Sequence, residues 1–274
     1  FDITINYKST KIKCISEFEN KQEINVYVYP KGSLAKSIAE QLFARKLAGK
    51  IIVLPNKNTT GQNAVKNIKE QKFVLVRVKT NINGSLGTGT FNPSEKINLF
   101  NSLYQSLVFP KINGEEILDL TTNDDFKLVG STGLRGKYID PSGNVIRTEP
   151  TLNQKMRELL RTQTSNSFSN CFFVFCFDEL ANNTSTMGRV EDIGKKSVVL
   201  YRGRDDYTLN HEALHGLGLF HTHKDGSITN QNQKYTFIHA FTDATKATDN
   251  IMTYQPDGKT TWQWQWKIIK KSIL

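Results

Sequence analysis

Apolar and polar positions alternate in Ile3 to Tyr7 and again in Ile24 to Tyr29, the period of two that marks half-buried β-strands. A helix-compatible run follows from Leu34 to Leu47, and the Asn/Lys/Thr stretch between Asn56 and Gly61 has the composition of a linker. Residues 1–70 are therefore expected to form a small β-rich leading domain. No cluster of His, Cys or carboxylates marks its chemistry.

From Lys72 the pattern changes. Phe73-Val74-Leu75-Val76-Arg77-Val78 is a nearly continuous apolar run rich in β-branched residues, which suits a strand buried on both faces. Asn92, Pro93 and Glu95 give an N-cap, a first-turn proline and a capping-box acid, so a helix is expected there with Ile97, Phe100, Tyr104, Leu107 and Val108 as its apolar stripe. Thr151 with Gln154 predicts a second helix carrying Leu152, Met156, Leu159 and Leu160. Further strands are expected at Cys171 to Phe177 and Ser197 to Tyr201, then a helix from about Asp206. This order predicts an α/β (α+β) domain over residues 71–274, a mixed, mostly parallel sheet backed by helices. Trp262, Trp266 and Ile269 share a helical face, and Lys267, Lys270 and Lys271 suit the last turns of a closing helix.

Charge and composition narrow the partners. Lys plus Arg is 36 against 26 Asp plus Glu, a formal charge of +10 in 274 residues. No stretch interleaves aromatics with these cations as a strand-binding groove would, so no nucleic-acid partner is expected. No apolar run is long enough to span a bilayer and none reads as a signal peptide. Beginning at Phe1, the chain reads as a processed product or a fragment. Cys171 and Cys176, on one expected strand, point to opposite faces, so with Cys14 they imply no disulfide framework.

The chemistry is concentrated in residues 211–221, His-Glu-Ala-Leu-His-Gly-Leu-Gly-Leu-Phe-His. Side chains four apart on a helix lie one turn above another, so His211 and His215 present two imidazoles to one point. A catalytic zinc ion takes three protein ligands and leaves the fourth position to water, and His221 supplies the third once the chain bends, with Gly218 taking the left-handed conformation that the bend requires. Glu212, beside the first ligand, is placed to act as general base. His223 competes with His221 but has the poorer spacing; His239 is expected to be structural.

These residues match the HExxHxxGxxH signature of the metzincin zinc metallopeptidases at every fixed position, which chance would produce on the order of once in a hundred thousand such chains. Downstream, Asp249-Asn250-Ile251-Met252-Thr253-Tyr254 resembles the Met-turn of that family. The resemblance implies a metzincin-like domain with an active-site helix, a Met-turn with Met252 beneath the histidines, and a C-terminal helix. It implies one catalytic Zn2+, Tyr254 as a second catalytic residue, and a protein or peptide substrate cut by endopeptidase action. Cys14 lacks the flanking pattern of the family's thiolate latency switch. A nondescript leader joined to a lytic domain also resembles bacterial effectors and toxins carried on a larger secreted polypeptide, and so implies release outside the producing cell. A binding or delivery module that keeps the fold with little proteolysis is the alternative reading; whether Glu212 is used separates the two.

Overall fold

The computed structural model describes residues 2–5, 10–13, 16–61, 67–82, 84–123, 126, 151–166, 168–181, 185–223, 248–254 and 258–273. Two compact units divide the chain, Phe1–Ile68 and Lys69–Leu274. Cys14, His239 and most of the stretch between Thr222 and Asp249 lie outside the described residues.

The first unit holds two antiparallel pairs: β1 (Asp2–Ile5) with β2 (Thr10–Lys13), and β3 (Gln22–Val28) with β4 (Lys46–Val53). The helix expected from Leu34 to Leu47 is much shorter. The α-helix α1 (Ile38–Ala44) forms after a 3-10 turn at Ser33–Ala35, opened by a capping box between Ser37 and Glu40, and Lys46 and Leu47 become the start of β4. Arg45 is extended at the helix end, and the β-branched Ile51-Ile52-Val53 segment pairs with β3, so the strand preference of these residues wins over the helical pattern upstream. Among residues 16–61 and 67–68 of this unit only Ser33 is buried.

The second unit is built on a six-stranded sheet with the order β6-β5-β8-β10-β9, β7 pairing β5. Its strands are β5 (Lys69–Ile82), β6 (Ser85–Thr88), β7 (Val108–Asp119), β8 (Cys171–Cys176), β9 (Gly188–Val190) and β10 (Ser197–Leu200). The pairs β5–β7, β5–β8 and β8–β10 are parallel, while β6 and β9 pair antiparallel with β5 and β10. Side chains alternate across the sheet and divide the apolar residues into two cores. Phe73, Leu75, Phe172 and Val174 meet Leu99, Leu103, Leu209, Ala213, Leu214 and Ile269 on one side. Val74, Val76, Val78, Phe173 and Phe175 meet Leu152, Met156 and Leu160 on the other. Cys171 and Cys176 fall into different cores and are free thiols.

Helices α2 (Pro93–Gln105), α4 (Thr208–Gly216) and α5 (Gln263–Ser272) therefore cover the first face, and α3 (Leu152–Thr164) the second. Both capping boxes expected at Asn92 and Thr151 are present. The stripe expected on α2 is not the buried one: Leu99 and Leu103 are buried with Glu95 and Ser102, Ile97 and Tyr104 are exposed, and Leu107 and Val108 lie beyond the helix. A buried carboxylate turned the face. Glu95 is 0% exposed because Arg204 grips it with two nitrogens, Nε to Oε1 at 2.5 Å and Nη2 to Oε2 at 3.0 Å, and the same guanidinium donates to the carbonyls of Tyr201 and Thr90.

Removing one partner of such a pair strands the other charge inside. Glu95→Ala is expected to cost about 3–5 kcal/mol, and the double change Glu95→Leu with Arg204→Met to recover most of it. Urea unfolding followed by tryptophan fluorescence checks this, since all three tryptophans lie in the second unit.

Candidate metal centre

The site is set by how α4 ends. Its last carbonyls are closed by Leu219 N–H donating to Leu214 O at 3.0 Å and Gly218 N–H to His215 O at 2.9 Å, the paired bonds of a Schellman cap. Gly218 carries the left-handed turn, at φ +96°. The chain reverses there, and His221 comes back to face the helix.

His211, His215 and His221 then offer ring nitrogens that all lie within 4.8 Å of one another and can hold a metal ion. The three Nε2 atoms form a nearly equilateral triangle: 3.1 Å between His211 and His215, 3.0 Å from each to His221. Tautomers decide what this triangle is. His211 Nδ1 lies 2.9 Å from Ile251 O, and His215 Nδ1 2.6 Å from Leu219 O. A carbonyl only accepts, so in the neutral rings both Nδ1 atoms carry the proton and both Nε2 atoms present bare lone pairs to the same point. Facing lone pairs repel; a Lewis acid among them turns the repulsion into three bonds. A tetrahedral zinc ion with bonds of about 2.0–2.1 Å to nitrogen needs its ligands about 3.3 Å apart, which slight ring rotations supply.

Glu212 follows the first histidine. Its Oε2 accepts from Val190 N–H of the edge strand β9 at 2.8 Å, and Gly188 of the same strand lets this approach happen. A Cβ at Gly188 would stand 2.7 Å from Thr208 Cγ2 and 3.0 Å from Glu212 Cγ. Loss of solvent around the carboxyl pushes its pKa up, against the lowering influence of His211, the Val190 amide and Arg189.

The segment at Asn250 closes the site from below the helix. Met252 is 0% exposed in the core that α4 covers, its carbonyl accepting from Thr222 N–H at 3.0 Å. Tyr254 is 40% exposed, with its ring 4.6 Å from that of His221 and 6.0 Å from that of His211. His223 stands outside the triangle: its ring stacks on His221 at 4.8 Å and lies 4.8 Å from Tyr254. Several contributors carried no mark in the sequence. The carbonyls of Ile251 and Leu219 are chosen by backbone position, and any residue offers one. Asn250 and Gln265, both 0% exposed, bond each other through their amides at 2.9 and 3.3 Å, and Asn250 Oδ1 also accepts from Met252 N–H. Two buried amides fifteen residues apart give no local pattern. No protein-family model matches the chain, and no curated protein matches it.

Gly218→Ala is expected to destabilise the second unit by roughly 1–2 kcal/mol, because an L side chain is forced into the left-handed region and its Cβ meets Ile268 Cγ2 at 3.2 Å. Gly218→Asn should cost less, since asparagine tolerates that conformation. The same unfolding measurement ranks the three proteins.

Proposed function

We propose that the chain is a zinc-dependent endopeptidase of the metzincin kind, with His211, His215 and His221 as the metal ligands. The observation that carries this reading is the meeting of three Nε2 atoms, two of them fixed in the tautomer that binds metal, beside a carboxylate that has one oxygen held and one left open. Zinc is chosen over copper, iron or nickel, which imidazole also suits, because a hydrolytic site needs a Lewis acid without redox chemistry. Bound there, zinc supplies acidity to a water molecule and polarises the scissile carbonyl.

The remaining work falls to the protein. Val190 N–H fixes Glu212 Oε2 and leaves Oε1 to accept the proton of the attacking water and return it to the leaving amine. A carboxyl whose pKa is raised by burial is better matched to taking a proton and giving it back near neutral pH than one left in water. The Ile251 and Leu219 carbonyls hold two ligand rings in the tautomer that binds metal. Tyr254, with its ring near those of His221 and His211, would donate its hydroxyl to the developing oxyanion.

An extended peptide would add to the sheet edge beside Glu212. The strand just before α4, β10, is not that edge. β10 is buried throughout and flanked by β8 on one side and β9 on the other, so the edge among the described residues is β9. No helix among the described residues is long and apolar enough to cross a membrane.

Two measurements test the reading. Protein never exposed to chelator is expected to carry one zinc per chain, lost in His221→Ala and kept in His223→Ala; the reverse would exchange the ligands. Glu212→Gln keeps size and hydrogen-bonding reach but loses the basic oxygen, so zinc content and folding should persist while kcat/KM on any cleaved peptide falls by about 10² to 10⁴. Near-parental cleavage by that variant at equal zinc occupancy would require a different base.

A further inference from the structure

The sheet face turned away from the three histidines carries a cavity of about 330 Å3, set between the second half of α3 and the loop that enters β8. This is the lower end of the roughly 300–1,000 Å3 typical of small-molecule sites. Its floor is aromatic: Phe168 and Phe173 are 6% and 9% exposed and meet edge to face with centroids 6.5 Å apart. Its wall is basic, with Arg157 and Arg161 one helical turn apart. Exposed Ser169 and Asn170 complete the rim.

The two guanidinium groups are in different situations. Arg157 donates to Glu191 Oε2 at 2.7 Å, where that carboxylate is only 7% exposed, and lies 6.0 Å over the Phe173 ring; its charge is answered within the fold. Arg161 is exposed and has no ion pair among the described residues. Glu158, on the same wall, is drawn to Lys155 at 3.3 Å. An unanswered planar fork of donors above an apolar floor suits a carboxylate, which it can hold bidentately, on a body that the two rings can cover.

The loop holds a phenylalanine in the left-handed region, with its ring packed at the border of the second core. Ser165, Phe168 and Asn170 all have positive φ, at 55°, 44° and 59°, three of the four non-glycine residues so placed among the described ones. A phenylalanine there is an outlier, and glycine would satisfy the backbone with less strain. Phe168 N–H donates to Asn166 Oδ1 and Phe168 O accepts from Cys171 N–H, so the turn is held firmly. Its result is to lay the Phe168 ring on the cavity floor. Strain of this kind persists where the surroundings over-determine it, and it concentrates at ligand sites.

We propose that this cavity binds a small organic anion, an aromatic or branched acyl carboxylate, with its carboxylate on Arg161 and its body on Phe168 and Phe173. The proposal stands apart from the metallopeptidase reading and uses none of its residues.

The test titrates para-(trifluoromethyl)benzoate into the full chain under fluorine NMR. Saturable binding at one site is expected, with a Kd of about 1 mM or tighter. The exposed change Arg161→Gln, with its thermal unfolding confirmed as parental, should weaken binding about tenfold, and so should replacing the probe by its neutral amide. A hydroxamate directed at the histidines should leave the probe bound. Absence of saturation, equal affinity for parent and Arg161→Gln, equal affinity for the amide, or displacement by the hydroxamate would each overturn the proposal.

Discussion

Three imidazole Nε2 atoms are held about 3 Å apart, two of them with lone pairs that repel unless a proton or a cation lies between, and much of the second unit serves to keep them there. The constraint is met by separate devices. Helical spacing brings His211 over His215, the glycine cap returns His221, and two backbone carbonyls from different segments set two of the ring tautomers. The turn at Gly218 and Leu219 serves two histidines at once, returning His221 and setting the tautomer of His215, while Ile251 sets His211 from a separate segment. A metal that binds the assembled triangle but not the unfolded chain adds its binding free energy to folding, so stability and metal content are linked.

Holding the helix is a matter of close approach. A Cβ at Gly216 would stand 2.5 Å from Phe172 Cζ, so glycine lets the end of α4 settle on β8, and Gly188 does the same for β9 against the side chain of Glu212. Polar contacts fix the helix against α2: Asn210 Nδ2 donates to Ser102 Oγ, and Asn98 Nδ2 to Asp206 O. Glu95 and Arg204 tie the start of α2 to the loop leading into α4. The ligand helix is thus located by small residues where it must come near and by buried polar groups where it must not slide.

What could be read in the chain followed from how local each signal is. The starts of α2 and α3 were legible because a cap is four residues long, His211 and His215 because helical spacing is fixed, and His221 because Gly218 marks the turn that returns it. β9 was missed because three residues cannot display an alternation, and β7 because Lys, Glu and Asn punctuate its apolar positions. The apolar stripe of α2 was misassigned because a charged residue, Glu95, occupies the centre of its buried face. The same inversion hides Gln265, the most buried polar residue of a helix whose tryptophans are only partly buried. The identity of Ile251 and Leu219 as tautomer setters could not be seen at all, since it depends on where a carbonyl points.

Gln265 shows why the C-terminal helix belongs to the metal centre although it supplies no ligand. Its Oε1 accepts from Trp262 N–H, capping its own helix, and from Asn250 Nδ2, while its Nε2 donates to Asn250 Oδ1. Asn250 in turn fixes Met252 N–H and, through its carbonyl, Thr253. One residue beyond Asn250 lies the carbonyl that sets His211, and two beyond it the carbonyl that receives Thr222, next to His221. A buried primary amide has two donors and an acceptor with two lone pairs; each of these two gives one N–H to the other, and each carbonyl oxygen is filled by the partner amide and one backbone N–H, without a charge. An ion pair in their place would put buried charge close to the three histidines; an apolar pair would leave the Met252 N–H without an acceptor. Paired amides are the solution that locks the turn and stays neutral beside the three histidines.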